Sequence, residues 1–170
     1  MTDLRIPQSR PVRCYAVLNA HGGAGGTTVA GMLDADEQSD AREVWAGAEI
    51  PPNRSVVLVA RTTAYGLKAA GGVLSRWHPD VPRPWLVLLR DVPVPIALPV
   101  RCRIRILSGH VLGVVHVPYL WPLRSVDAFA EASHPAVDKA ARLLRAAVAR
   151  PPRPVPTSRK ARPVDAAVSR

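Results

Sequence analysis

The chain has 170 residues, of which 48% are hydrophobic, and a formal net charge of +10. That length suits one domain with tails and allows a buried core, and no apolar run reaches the roughly 18 residues of a membrane span. The positive charge is nearly all arginine, beside 18 prolines; coding bias in a GC-rich genome explains this composition as readily as nucleic-acid binding does.

Residues 1–13 are polar, hold two prolines and lack the apolar stretch of a secretory leader. They are expected to be a disordered lead-in to a cytoplasmic bacterial protein. Cys14–Asn19 (CYAVLN) reads as a short buried strand. The run AHGGAGGTTVAGML follows, a glycine-rich loop leading into a helix that starts near Gly26 or Thr27. Residues 34–54 are polar, end at Pro51-Pro52, and read as a connection with at most a helical turn. Ser55–Ala60 is a second buried strand. Residues 62–77 read as a helix with Tyr65, Ala69 or Ala70, Val73 and Trp77 on one face. Pro84–Leu89 is a third strand and Gly113–Pro118 a fourth. Between these two, residues 100–106 alternate apolar side chains with arginine, which fits a strand. Pro99 fits the first turn of a helix, and a parallel sheet needs a crossover there. Helix is therefore expected over 100–108. Residues 134–149 give the clearest helix, with Pro135 in its first turn and Val137, Ala141, Leu144 and Val148 along one face.

Near-continuous apolar strands alternating with helices predict a three-layer α/β domain over 14–149, a mainly parallel sheet with helices on both faces. Residues 150–170 are rich in proline and arginine and are expected to be a disordered tail. Six cations there face only Asp165, a net of +5, so nonspecific contact with nucleic acid through this tail is one reading. Cys14 and Cys102 are expected as reduced, buried thiols. The histidines show no ligand spacing, so no structural zinc is expected. The four tryptophans are expected in the core or at its rim.

The glycine run carries the chemistry. A loop that holds phosphate needs a strand ending at the sheet edge, glycines that let N–H groups converge, and a helix N-terminus behind them. Gly22, Gly23, Gly25 and Gly26 supply the glycines, and Thr27 and Thr28 supply hydroxyls. The run resembles the deviant Walker A motif of the MinD/ParA-like (SIMIBI) P-loop family. In that alignment His21 stands at the signature lysine and Gly26 at the Walker lysine, while Gly22, Gly23, Gly25, Thr27 and Thr28 match. VVLVARTTAYGLKAA is similar to a core strand and helix of the family, and HVPYLWPLR to its late Val-Pro-Tyr segment. The chain also resembles small P-loop-like proteins of GC-rich bacteria associated with mobile elements.

The resemblance implies a reduced P-loop NTPase-like fold and a nucleotide as cofactor. Both lysines are missing, and the strand ending Val59-Ala60-Arg61 brings no acid for Mg²⁺. Asp34 and Asp36 resemble switch-region acids but read as solvated loop. A lost lysine contact of roughly 2–4 kcal/mol lowers affinity and rate by orders of magnitude. No catalytic residue, resident metal or firm cofactor is therefore expected, only weak binding of phosphate or nucleotide. On the same reasoning Gly26→Lys is expected to restore ATP binding. In open parallel sheets ligands sit beyond the carboxyl ends of the strands, so His21, Arg61, Asp91, Tyr119 and Trp121 are expected on the rim of the crevice. The expectation is a degenerate P-loop protein, a pseudo-NTPase that binds a protein partner. The alternatives are a weak ATPase of the MinD/ParA class and an accessory factor that binds nucleic acid through its tail.

Overall fold

The computed structural model describes residues 13–35, 39–45, 49–124 and 134–150. Residues 1–12 of the expected lead-in, Asp36, and residues 151–170 of the basic tail lie outside them. In chain order the elements are β1 (Arg13–Asn19), α1 (Gly26–Asp34), β2 (Ser39–Val44), β3 (Ser55–Arg61), α2 (Ala64–Leu74), β4 (Trp85–Leu89), α3 (Leu98–Leu107), β5 (Gly113–Val117) and α4 (Pro135–Val148). Single 3₁₀ turns span Ser108–His110 and Trp121–Arg124.

All strand pairs are parallel, in the order β2-β1-β3-β4-β5. This is one of the two common doubly wound orders, and its switch point falls between β1 and β3. Alternate side chains of each central strand enter two cores. Val17, Val57, Val59, Val87 and Leu89 meet Val29 and Met32 of α1 and Val137 and Leu144 of α4. Leu18, Leu58, Ala60, Leu86 and Leu88 meet Leu67 and Ala70 of α2 and Leu107 of α3. The three-layer α/β architecture expected from the apolar runs is thus observed: strands buried on both faces need side chains that are apolar at every position.

Four expectations are corrected. Residues 34–54 are not merely a connection, because β2 lies within them and pairs with β1 from Arg13↔Ser39 to Leu18↔Val44. It is an edge strand that carries Asp40, Arg42 and Glu43. Charges on an edge strand deter unwanted pairing, and they also hide its hydrophobic period. In α2, Tyr65 is 69% exposed, and the buried positions are Gly66, Leu67 and Ala70. Cys102 is exposed on α3 rather than buried, and Cys14 is half-buried. Trp45 and Trp121 are 84% and 60% exposed, whereas Trp85 and Trp77 pack against the two cores.

The segment 100–106 is helical, as expected, with Pro99 in the first turn of α3. The cation-rich face of α3 is solvent-facing, and only Leu107 is fully covered.

Arg54, just before β3, ties β2 to β1. Its Nη1 donates to the carbonyls of Tyr15 and Asp40 at 3.1 and 3.2 Å, and its Nη2 donates to the Asp40 carboxylate at 2.5 Å. The Arg54 bond is the chief cause that holds Asp40 below the usual carboxylate range. The Arg54 side chain is only 12% exposed, so its bonds to carbonyls count for more than an exposed ion pair would. Arg54→Met is expected to cost about 2 kcal/mol in chemical denaturation, with amide exchange rising first in β2. Unchanged exchange in β2 would mean that the pairing with β1 holds the strand unaided.

Candidate functional site

The glycine loop runs from the carboxyl end of β1 to the start of α1, at the switch point of the sheet. Ala20 N–H still pairs with the Val59 carbonyl at 2.9 Å. Beyond it the chain turns tightly, with Ala24 N–H on the His21 carbonyl at 3.2 Å. Gly25 precedes α1 with φ of 97°, a left-handed conformation that favours glycine, and a Cβ there would approach Leu89 Cδ2 to 2.8 Å. No side chain caps α1, and its first turn carries no acid. Its N-terminal amides and dipole are thus available to an anion.

Sequence reasoning missed two residues here. Glu43, near the end of β2, accepts a hydrogen bond from Thr27 Oγ1 at 3.0 Å. Its other carboxylate oxygen accepts from Asn19 Nδ2. The amide orientation of Asn19 follows from this pairing, since turning it over would set Oδ1 against a carboxylate. Asn19 Oδ1 is then buried without a partner. It faces Gly26, where a Cβ would lie 2.3 Å from it. The stem of a lysine at position 26 would have to start in this space. Gly26 is therefore glycine because Asn19 fills the volume, and Gly26→Lys alone meets a steric block. The signal for Glu43 was a topological one. A β-α-β unit begun at Cys14 needs a strand after α1, and the acid sits near that strand's carboxyl end, on the other side of β1 from Val59-Ala60-Arg61. Asp34 lies at the opposite end of α1 and accepts from Ala41 N–H at 3.4 Å.

The His21 ring is held on both sides by backbone groups. Its Nδ1 meets the Gly22 carbonyl at 2.8 Å, and its Nε2 faces the Arg61 N–H at 3.4 Å. A tautomer protonated on Nδ1 satisfies both contacts. The ring also stands edge-on to Tyr65, with centroids 5.2 Å apart. Arg61, at the end of β3, reaches the loop. Its Nε donates to the Gly23 carbonyl at 3.1 Å, and its Nη1 lies 3.5 Å from Asp91. Arg61 thereby anchors the loop, and Asp91 answers part of its charge.

Two cavities flank the loop. A small one of about 120 Å³ is lined by residues that include Thr28, Arg61, Leu89 and Tyr119; nucleotide-sized ligands need roughly 300 Å³ or more. The other, about 580 Å³, opens between the ends of β1 and β2 and is lined by Asn19, His21, Gly22, Glu43 and Trp45 among others. The fold therefore gathers Gly22, Gly23, Gly25, Gly26, Thr27, Thr28, His21, Arg61, Asp91 and Tyr119 at one sheet end. Trp121 stands apart from both cavities, edge-on to His134 with centroids 5.3 Å apart.

Thr27 Oγ1 and the Glu43 carboxylate are the groups that could hold a hard cation alongside a phosphate. Among the described residues there is no cluster of three His, Cys, Asp or Glu side chains suited to a metal, and no helix is long and apolar enough to cross a membrane. Comparison with protein-family models, with curated proteins and with solved structures gives no match, so the reading of this site rests on its own geometry.

Proposed function

We propose that the chain is a P-loop-like protein that does not hydrolyse nucleotide and acts by binding a protein partner at the carboxyl end of its sheet. The observation that carries this reading is the Asn19 carboxamide in the space above Gly26, where the phosphate-reaching lysine of a working loop would begin. Without that lysine the developing charge on a transferred phosphoryl group lacks its main stabilising cation. Arg61 is committed to Gly23 and Asp91 and does not take that place.

Three exposed aromatics support the partner reading. Trp45, Tyr65 and Trp121 are 84%, 69% and 60% exposed, and they follow β2, β3 and β5 respectively. All three stand at the loop end of the sheet. Large aromatics of this kind dominate protein interfaces. A second reading, weak nucleotide binding, is favoured by Glu43 on the Thr27 hydroxyl beside a cleft of about 580 Å³.

The test has two arms. Purified protein is expected to hydrolyse ATP and GTP no faster than its Thr27→Ala variant, and turnover that Thr27→Ala abolishes would overturn the proposal. A photo-crosslinking residue at position 45 is expected to give a discrete protein adduct in cells, while the same residue at Arg142, on the outside of α4, gives none. Adducts of equal yield from both positions would remove the aromatic rim from the account.

A further inference from the structure

A third concavity lies between α3 and β5, with a volume of about 650 Å³. Ile96, Ile104 and Val114 supply aliphatic surface to it, and Arg90, Arg101, Arg105 and His116 line it as well. Arg101 and Arg105 are one helical turn apart. Like charges at that spacing repel, and α3 contains no acidic residue to offset them. Arg90 donates through Nη2 to the Val94 carbonyl, and among the described residues no carboxylate lies within ion-pair distance of Arg101 or Arg105. Partial desolvation, and secondly the Arg90 guanidinium, lower the His116 imidazole below its usual range. The positive charge of the groove near neutral pH therefore comes from its arginines.

The groove runs beside β5, which among the described residues is one of the two edge strands of the sheet. An edge strand offers unpaired backbone groups to an extended chain. Its lining contains no Phe, Tyr or Trp, so it lacks the stacking platform that single-stranded nucleic acids use. Aliphatic walls beside the Arg101 and Arg105 guanidiniums complement a peptide that alternates acidic and aliphatic side chains.

We propose that this groove binds an extended acidic segment of a partner protein, with aliphatic side chains against Ile104 and Val114 and carboxylates on Arg101 and Arg105. The groove shares Arg90 with the small cavity beside the glycine loop and is otherwise lined by different residues.

The experiment is fluorescence polarisation at low salt, using the full chain and a labelled peptide of alternating glutamate and valine. The peptide is expected to bind, and a lysine–valine peptide of equal length is not. Arg101→Gln with Arg105→Gln is expected to weaken binding about tenfold or more, the loss of at least one charge-assisted bond. Arg142→Gln, equally exposed on the opposite layer, changes it less than about twofold. Both arginines of the pair are solvent-facing, and circular dichroism checks that the variants stay folded. The His116 ring resonance, assigned with His116→Gln, is expected to move on addition of the acidic peptide. Three results would each overturn the proposal: no binding of the acidic peptide up to its solubility limit, equal losses from Arg142→Gln, or displacement of the peptide by oligothymidine at lower concentration than by unlabelled peptide. The last would reassign the groove to nucleic acid.

Discussion

Gly66→Ala is expected to lower stability by about 3 kcal/mol or more, a large share of the roughly 5–15 kcal/mol that holds a domain of this size together. The added Cβ would lie 2.3 Å from the Arg61 carbonyl oxygen and 3.1 Å from the Arg61 nitrogen. These are backbone atoms at the end of a central strand, paired across to Leu89 of β4, and cannot swing aside as a side chain could. Nor is the start of α2 free to move. Thr63 caps the helix through the Gly66 N–H at 3.0 Å, and Leu67 N–H bonds the Thr63 carbonyl at 3.0 Å. The methyl group must push α2 off the sheet or bend β3. Either movement displaces Arg61 and with it the anchor on Gly23. Gly72→Ala is the matched control: nothing lies within 4 Å of its Cβ position, and a helix-interior alanine there is expected to stabilise by about 0.5–1 kcal/mol. Urea denaturation of both variants measures the contrast. A loss below about 1 kcal/mol for Gly66→Ala would mean that α2 slides along the sheet at little cost.

The second large effect is a coupling between Asn19 and Gly26. Gly26→Ala places a Cβ 2.3, 2.5 and 2.7 Å from Oδ1, Nδ2 and Cγ of Asn19. Asn19 must then rotate away from Glu43 and strand that carboxylate with Thr27 alone. A cost of about 2 kcal/mol is expected. Asn19→Ala alone gives up one bond but also removes an unsatisfied buried oxygen, so it is expected to cost about 1 kcal/mol. Combined, the two changes cost less than their sum, with a coupling of about 1–2 kcal/mol in a double-mutant cycle. The same geometry governs restoration of the loop. Gly26→Lys alone is expected to show no ATP binding by calorimetry. Gly26→Lys with Asn19→Ala clears the path for the lysine stem and is expected to bind. ATP binding by the single variant would show that Asn19 yields easily, and the reading of a filled site would fall.

The parts of this fold that were legible in the sequence share one property: their signal is local. Val56–Val59 and Leu86–Leu89 are apolar at every position because both faces of a central strand are covered, and such runs stand out without any partner being known. The glycines of the loop declare a backbone need in the same direct way. The helix over 100–106 is legible only where topology outweighs the period-two alternation of its residues. What was not legible depended on neighbours. β2 carries charges because it is an edge, and a charged hexapeptide does not announce a strand. Glu43 matters because parallel pairing brings it beside Thr27, 16 positions earlier in the chain. Asn19 looked like the last residue of a strand, yet its side chain explains why position 26 has none. Helical spacing groups Tyr65 with Ala70, Val73 and Trp77, but the close approach at Gly66 sets the rotation of α2 and turns Tyr65 toward His21.

The grip of Arg54 on Asp40 has a consequence at the other end of β2. Side chains of a strand alternate between faces, so Glu43 reaches Thr27 only while β2 keeps its present alignment with β1. A shift by one residue turns Arg42 or Val44 toward the loop instead. The local charge beside the Thr27 hydroxyl would then pass from negative to positive or to none, with no change in composition. Arg54 holds the strand three residues upstream of Glu43, roughly 10 Å away along the chain. The electrostatic sign of the loop is therefore fixed by a clasp outside it, and β2 works as a slide rule whose zero mark is Asp40.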